Sequence, residues 1–266
     1  PLWSGQVLLC IDDAILSRTQ DKGGDYNHSN DMAFVLALCE HYNVSPHVIG
    51  ATCVGSNRGV SKTVPEELVD AFGFDKTEVL KGSVTYKPES SPLSDYIVQM
   101  SKKSKILILV GGPVNDLANA INDGANVNNI ELVIIGKGTW NEWTDPKTRD
   151  VTTANTELVY RKIRNITDIT WYRDLLKAPN GNDWNEKWIQ QWRERNKMFD
   201  LAFGDFINAR NRDMNNRQGN GSNPMRVADF MTLDHALGGN SRDFNQVIKR
   251  VERGLKLNNI RQLGHE

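Results

Sequence analysis

The chain has 266 residues, of which 39% are apolar, 8% aromatic and 24% charged, and its formal net charge is -1. That length and apolar content suit a packed core, as one large α/β domain or two small ones. The near-neutral charge excludes a broad nucleic-acid or anionic-membrane surface and leaves only a local basic patch open.

No apolar run approaches the ~20 residues that span a bilayer. No signal-peptide pattern opens the chain at Pro1, although a leader upstream of it is left open. The three cysteines, Cys10, Cys39 and Cys53, sit in predicted strands or helices and form no CxxC pair. Buried reduced thiols, and hence a reducing, cytoplasmic location, are the expectation.

Residues 7–11 (Val-Leu-Leu-Cys-Ile) read as a buried strand that stops in two carboxylates, Asp12 and Asp13. A polar loop with Lys22, Gly23, Gly24 and Asp25 follows. Ser29 or Asn30 then caps a helix whose apolar face carries Met32, Phe34, Val35 and Leu38. Acidic groups at the C-terminal end of a buried strand, facing a helix start, are the usual site geometry of open α/β sheets, and oxygen ligands there suit a divalent cation. The plainer alternative is that Asp12 and Asp13 cap a turn while Asp31 sits favourably in a helix first turn.

The next strand spans residues 47–54 and ends at Gly55-Ser56-Asn57. Thr63, Pro65 and Glu66 open a helix that ends near Phe72 and Gly73. Residues 78–82 form a short strand and 87–92 a polar loop. Residues 93–100 read as a helix, and 105–110 as the clearest strand of the chain, running into Gly111-Gly112-Pro113-Val114-Asn115. A helix over 116–121 and a strand over 131–135 follow. Strands that alternate with helices, each a near-continuous apolar run, predict an open, mainly parallel sheet with helices on both faces.

The second half is less regular. Residues 139–150 form a loop rich in Trp, Asn and acid, with Trp140 and Trp143 as candidate walls for a flat ligand. A helix over 154–162, a strand over 166–172 and a turn at 180–183 come next. Residues 184–207 read as one long amphipathic helix whose Trp188, Trp192, Phe199 and Phe203 form a packing face. A Gly/Asn-rich loop over 210–224, a helix over 227–237 with Asp229 in its first turn, and a helix over 242–257 complete the chain. The expectation is a single α/β domain over 1–266, mostly helical from about residue 180. His28 and His235 read as satisfied surface or core residues.

Taken in order, these strand ends resemble the nucleoside hydrolase family. Asp12-Asp13 and Asn30-Asp31-Met32-Ala33 resemble the two halves of its opening Asp-x-Asp-x-Gly-x-Asp-Asp-Ala segment. Gly55-Ser56-Asn57 is similar to its Gly-Asn strand end, and Val79-Leu80-Lys81-Gly82 to its short Val-x-x-Gly strand. Val110-Gly111-Gly112-Pro113-Val114-Asn115 is close to its Leu-Gly-Pro-Leu-Thr-Asn, and Asp229 matches its late helix-start Asp by position.

The resemblance implies a Rossmann-like core and a Ca²⁺-dependent hydrolase that cleaves the N-glycosidic bond of a ribonucleoside or related glycoside. It implies Asp12, Asp31 and Asp229 as carboxylate ligands, a carbonyl at Val110 or the next two residues as a fourth, and Asp12 as the base. Asp13, Asn30, Asn57, Asn115, Asn141 and Glu142 are the implied substrate contacts, and the family's dimers and tetramers imply a homo-oligomer. The chain departs from the pattern at four places: a loop separates Asp13 from Asn30, Asn30 replaces an Asp, Ala228 stands where many members place the leaving-group His, and the family's later Glu-Phe-Asn ribose-binding motif has no clean match, with Asn141, Glu142 and Asp150 as its candidates. Two other functions compete: a sugar- or nucleoside-binding protein that has lost the chemistry, and a Mg²⁺-dependent phosphoester hydrolase built on Asp12 and Asp13. The second is disfavoured, because the chain has neither a phosphate-binding Gly-x-x-x-x-Gly-Lys loop nor an Asp-x-Asp strand end.

Overall fold

The computed structural model describes residues 3–13, 26–52, 63–135, 149–169, 186–203, 230–239 and 244–264. Six parallel strands form one open sheet: β1 (Val7–Asp13), β2 (Val48–Thr52), β3 (Glu78–Lys81), β4 (Ile106–Val110), β5 (Ile130–Ile134) and β6 (Asn165–Asp168), in the order β3-β2-β1-β4-β5-β6. The helices are α1 (Tyr26–Tyr42), α2 (Thr63–Phe72), α3 (Pro92–Lys103), α4 (Asn115–Asn122), α5 (Arg149–Lys162), α6 (Glu186–Arg195), α7 (Lys197–Phe203), α8 (Phe230–Ala236) and α9 (Phe244–Leu263). Every described element after β6 is helical.

The four central strands, β1, β2, β4 and β5, are mostly apolar because both faces of the sheet are covered there, whereas the edge strands β3 and β6 carry exposed polar residues at their ends. Leu8 and Cys10 of β1 pack on one side with α1, α2 and the C-terminal helices. Leu9 and Ile11 pack on the other with α3, α4 and α5. This is the layered, two-faced arrangement that a parallel sheet requires. Helix α1 is the centre of the first layer. Residues 32–39 are all buried, so this stretch of the helix has no polar stripe and stands between the sheet and the outer helices.

Several boundaries differ from expectation. Helix α1 begins at Tyr26, so neither Ser29 nor Asn30 caps it, and Asp31 falls in its second turn rather than its first. Nothing from Tyr26 to Ser29 breaks a helix, and the buried stretch downstream propagates back through it. Helix α5 begins at Arg149, inside the expected acidic loop, and α9 continues to Leu263. β6 ends at Asp168, short of the expected Tyr172.

The expected long helix from 184 is two helices that break at Asn196. The Asn196 side chain caps α7, accepting the Phe199 N–H at 2.7 Å, and donates to Asn258 and Asn259 of α9. A buried Asn favours capping over helix continuation. The aromatic face does pack as a core: Phe199 and Phe203 are fully buried and meet Phe34 edge-on, and Trp188 stacks on Phe34.

Candidate functional site

The strand order turns at the middle of the sheet. From β1 the chain builds outward through β2 and β3, then returns to β4 and builds the other way. Loops leaving β1 and β4 therefore diverge at their C-terminal ends, and ligands of open α/β sheets bind in the crevice that this creates.

Two of the sequence motifs meet there. Asp12 and Asp13 are the last residues of β1, in register with Ala51 and Thr52 of β2. On the other side β1 pairs with β4 only as far as Ile11, opposite Val110. The Gly111 N–H donates to the Ile11 carbonyl at 2.8 Å, so the Gly111–Gly112–Pro113–Val114 turn starts beside the two carboxylate residues. Neighbouring strands lie about 4.8 Å apart, which brings the Asp12 backbone and the turn after Val110 within reach of one ligand. Val110 itself is fully buried. Asn30 and Asp31 belong to the backbone of α1, the helix that follows β1.

Asn115, at the first position of α4, is buried. Its Nδ2 donates to the Thr85 carbonyl at 2.9 Å and, at 3.4 Å, to Asp116 Oδ2. Its Oδ1 is buried with no hydrogen-bond partner among the described residues. The amide therefore pins the loop after β3, and only the oxygen remains as a potential ligand contact.

The structure adds a polar cluster that the motifs did not reveal. Asp116 is fully buried, and its Oδ1 accepts the Ser83 N–H at 2.8 Å and the Ser91 hydroxyl at 2.6 Å. Burial pushes its carboxyl up to about 6, while the bonds from Ser91, from Ser83 and from its own N–H pull down without offsetting the rise. Gly82 shows why that strand end must lack a side chain: a Cβ there would run into Asp116 Oδ2 and crowd the Ala51 carbonyl. The sequence carried one signal, an Asp directly after Asn115. An acid in a helix first turn is ordinary, however, and nothing local ties it to Ser83 or Ser91.

Asn57, Asn141, Glu142, Asp229, Cys53, Trp140 and Trp143 lie outside the described residues, as do the 14–25 loop and the 210–224 segment. The side chains of Asp12, Asp13, His28, Asn30 and Asp31 are likewise outside what is described. Among the described residues no three His, Cys, Asp or Glu gather as a metal site. The implied Ca²⁺ set is not tested by this, since its three carboxylates fall outside.

No protein-family model and no curated protein matches the chain.

His235 is at the other end of the fold. It sits on α8 beside Asp234, and the last residue of α8, Ala236, accepts the Trp3 N–H just ahead of β1. Burial holds its imidazole below the usual value against the opposing pull of Asp234. That placement removes it from the Asp12 edge of the sheet. No described helix is long and apolar enough to cross a membrane, and Cys10 and Cys39 are buried thiols.

Proposed function

We propose that the chain is a Ca²⁺-dependent hydrolase that cleaves the N-glycosidic bond of a ribonucleoside or a related glycoside. The observation that carries this is the juxtaposition of the β1 end, Asp12-Asp13, with the Gly111-Gly112-Pro113-Val114-Asn115 turn at the central crossover. The donor set fits a hard cation: the carboxylates of Asp12, Asp31 and Asp229 and the Val110 carbonyl are all oxygen ligands, and Ca²⁺ takes about six to eight of them. When bound, the ion would acidify a water and hold two sugar hydroxyls.

The residues supply the rest. An Asp12 carboxylate oxygen takes a proton from water as the water oxygen bonds to the anomeric carbon. The C–N bond breaks, its electron pair goes to the leaving nitrogen, and that nitrogen is protonated from solvent, since Ala228 offers no acid. The neighbouring carboxylates stabilise positive charge on the sugar ring as the bond breaks. Asp13, Asn30, Asn57, Asn115, Asn141 and Glu142 hold the sugar and the base. Buried thiols favour a reducing, cytoplasmic setting, and the family resemblance favours a homo-oligomer.

Elemental analysis and calorimetry on wild type and Asp12→Ala test the metal. One tight Ca²⁺, lost in the variant, is expected. Ribonucleosides should release reducing sugar with the wild type only, and EDTA should stop turnover until Ca²⁺ is returned. A folded protein that binds nucleosides or sugars with no Ca²⁺ and no turnover would make it a binding protein instead.

A further inference from the structure

The loop joining β3 to α3, residues 82–91, rims the same edge of the sheet as Asp12, and buried side chains tie it down from below. Asp116 holds its two ends, at the Ser83 N–H and the Ser91 hydroxyl. Asn115 holds the Thr85 carbonyl and Asn155 of α5 the Tyr86 carbonyl, at 2.9 and 2.7 Å. Ser91 is also the N-cap of α3 and forms a capping box with Ser94, so releasing it loosens the helix start as well.

Of these anchors only Asp116 titrates. It is fully buried, and among the described residues no cation faces it. The loop presents Ser83 and Ser91; α3 presents Ser94; α4 presents Asn115 and Asn119, which bonds Ser94. The nearest charges in sequence turn elsewhere: Lys81 is exposed, Asp95 bonds Ser90, and Asp123 bonds Asn119. A buried carboxylate with no counter-charge is penalised by desolvation, and protonation relieves the penalty. Both loop bonds go to Oδ1, so a proton on Oδ2 leaves them intact.

We propose that Asp116 is a proton-operated latch: protonated, it holds loop 82–91 closed against α4, and ionised, it favours release of the loop from the rim of the site. The proposal does not depend on the hydrolase reading, and its test does not use activity.

The closed carboxyl titrates near 6, against 3.8 for an unperturbed one. The closed state therefore binds more protons than the open state between these values, and opening becomes easier as pH rises through that window. From pH 5 to pH 7.5 the opening equilibrium should rise roughly tenfold. Amide hydrogen exchange of residues 83–91, divided by the intrinsic rate at each pH, reads this directly. Wild type should show the tenfold rise and Asp116→Asn a flat profile; Asn155→Ala, which removes an untitratable tie, should exchange faster but keep the wild-type slope. A flat wild-type profile, or the same slope in Asp116→Asn, overturns the latch. An Asn at 116 turns a second Nδ2 toward that of Asn115 and destabilises the fold, so Ser91→Ala provides an independent route. Removing the Ser91 hydroxyl takes away a bond that favours the charged form, so the carboxyl carbon resonance titrating near 6 should move to higher pH. No Asp carboxyl titrating above pH 5 in the wild type would also overturn the proposal.

Discussion

At the scale of single residues, stability concentrates where a charge is buried with its partner. Asp234 is fully buried, and Arg250 grips it bidentately, Nε to Oδ1 and Nη2 to Oδ2, each at 2.7 Å. Tyr42 Oη donates to the same carboxylate at 2.8 Å. Together these tie α1, α8 and α9 at the edge of the sheet opposite Asp12. Removing one member leaves an uncompensated buried charge, so Asp234→Ala should cost about 3–5 kcal/mol. Urea unfolding would measure it, and Asp234→Ala combined with Arg250→Met should recover part of the loss. Gly82→Ala should also destabilise, by about 1–3 kcal/mol of overpacking, because its methyl meets the Asp116 carboxylate; Gly82→Ala combined with Asp116→Ala should be less destabilised than the two losses added. The end of β1 at Asp12 and the turn that leads from β4 to Asn115 were legible in the sequence because the pattern changes there from apolar to polar. Asp234 and Asp116 were not: their partners lie 16 to 192 and 25 to 33 positions away, and no local pattern encodes such a pairing.

At the scale of elements, the apolar runs of β1, β2, β4 and β5 fixed those strands to within a few residues of where they lie, because burial on both faces forces them to be continuous. Helix ends were less legible. Asn196 carries no sequence mark that distinguishes a helix-interior Asn from a cap, since its cap role depends on a contact with Asn258 and Asn259. Asn196→Ala should lose a cap worth about 1 kcal/mol and two bonds to α9, one of them buried, and should lower thermal stability without altering the sheet. The larger effect belongs to Gly254. There α9 crosses α1 so closely that a Cβ would run into the backbone carbonyl of Ala37. A backbone cannot rotate aside as a side chain can. Gly254→Ala should therefore force α9 away from α1 and cost about 3 kcal/mol, which in a domain of this size lowers Tm by roughly 6–12 °C. Calorimetric unfolding measures it; an unchanged Tm would mean that the two helices cross further apart.

At the scale of the whole molecule, alternating strands and helices announced a parallel sheet, but the strand order was not readable, since it depends on which way each crossover turns. That order gives the end of β1 its meaning, because only the reversal between β1 and β4 opens a crevice there. A cation bound in that crevice would join the end of β1 to the turn after β4, which are nearly a hundred positions apart in the chain. These are brought together only by the folded chain, so the ion binds the native state and has no comparable site in the unfolded one. Binding of this kind stabilises by an amount that grows with the logarithm of free ligand, about 2.7 kcal/mol at a hundredfold excess over Kd. Ca²⁺ should therefore raise Tm by several degrees and continue to raise it by equal steps for each further tenfold in concentration, while Mg²⁺, which demands a tighter octahedral shell, should raise it less. Asp12→Ala should lose the response, because it removes one carboxylate of the set. Asp234→Ala should keep it, its lower Tm rising with Ca²⁺ by the same step, since that carboxylate belongs to the opposite edge. A Tm indifferent to Ca²⁺ in the wild type would take the ion out of the crevice and the hydrolytic mechanism with it.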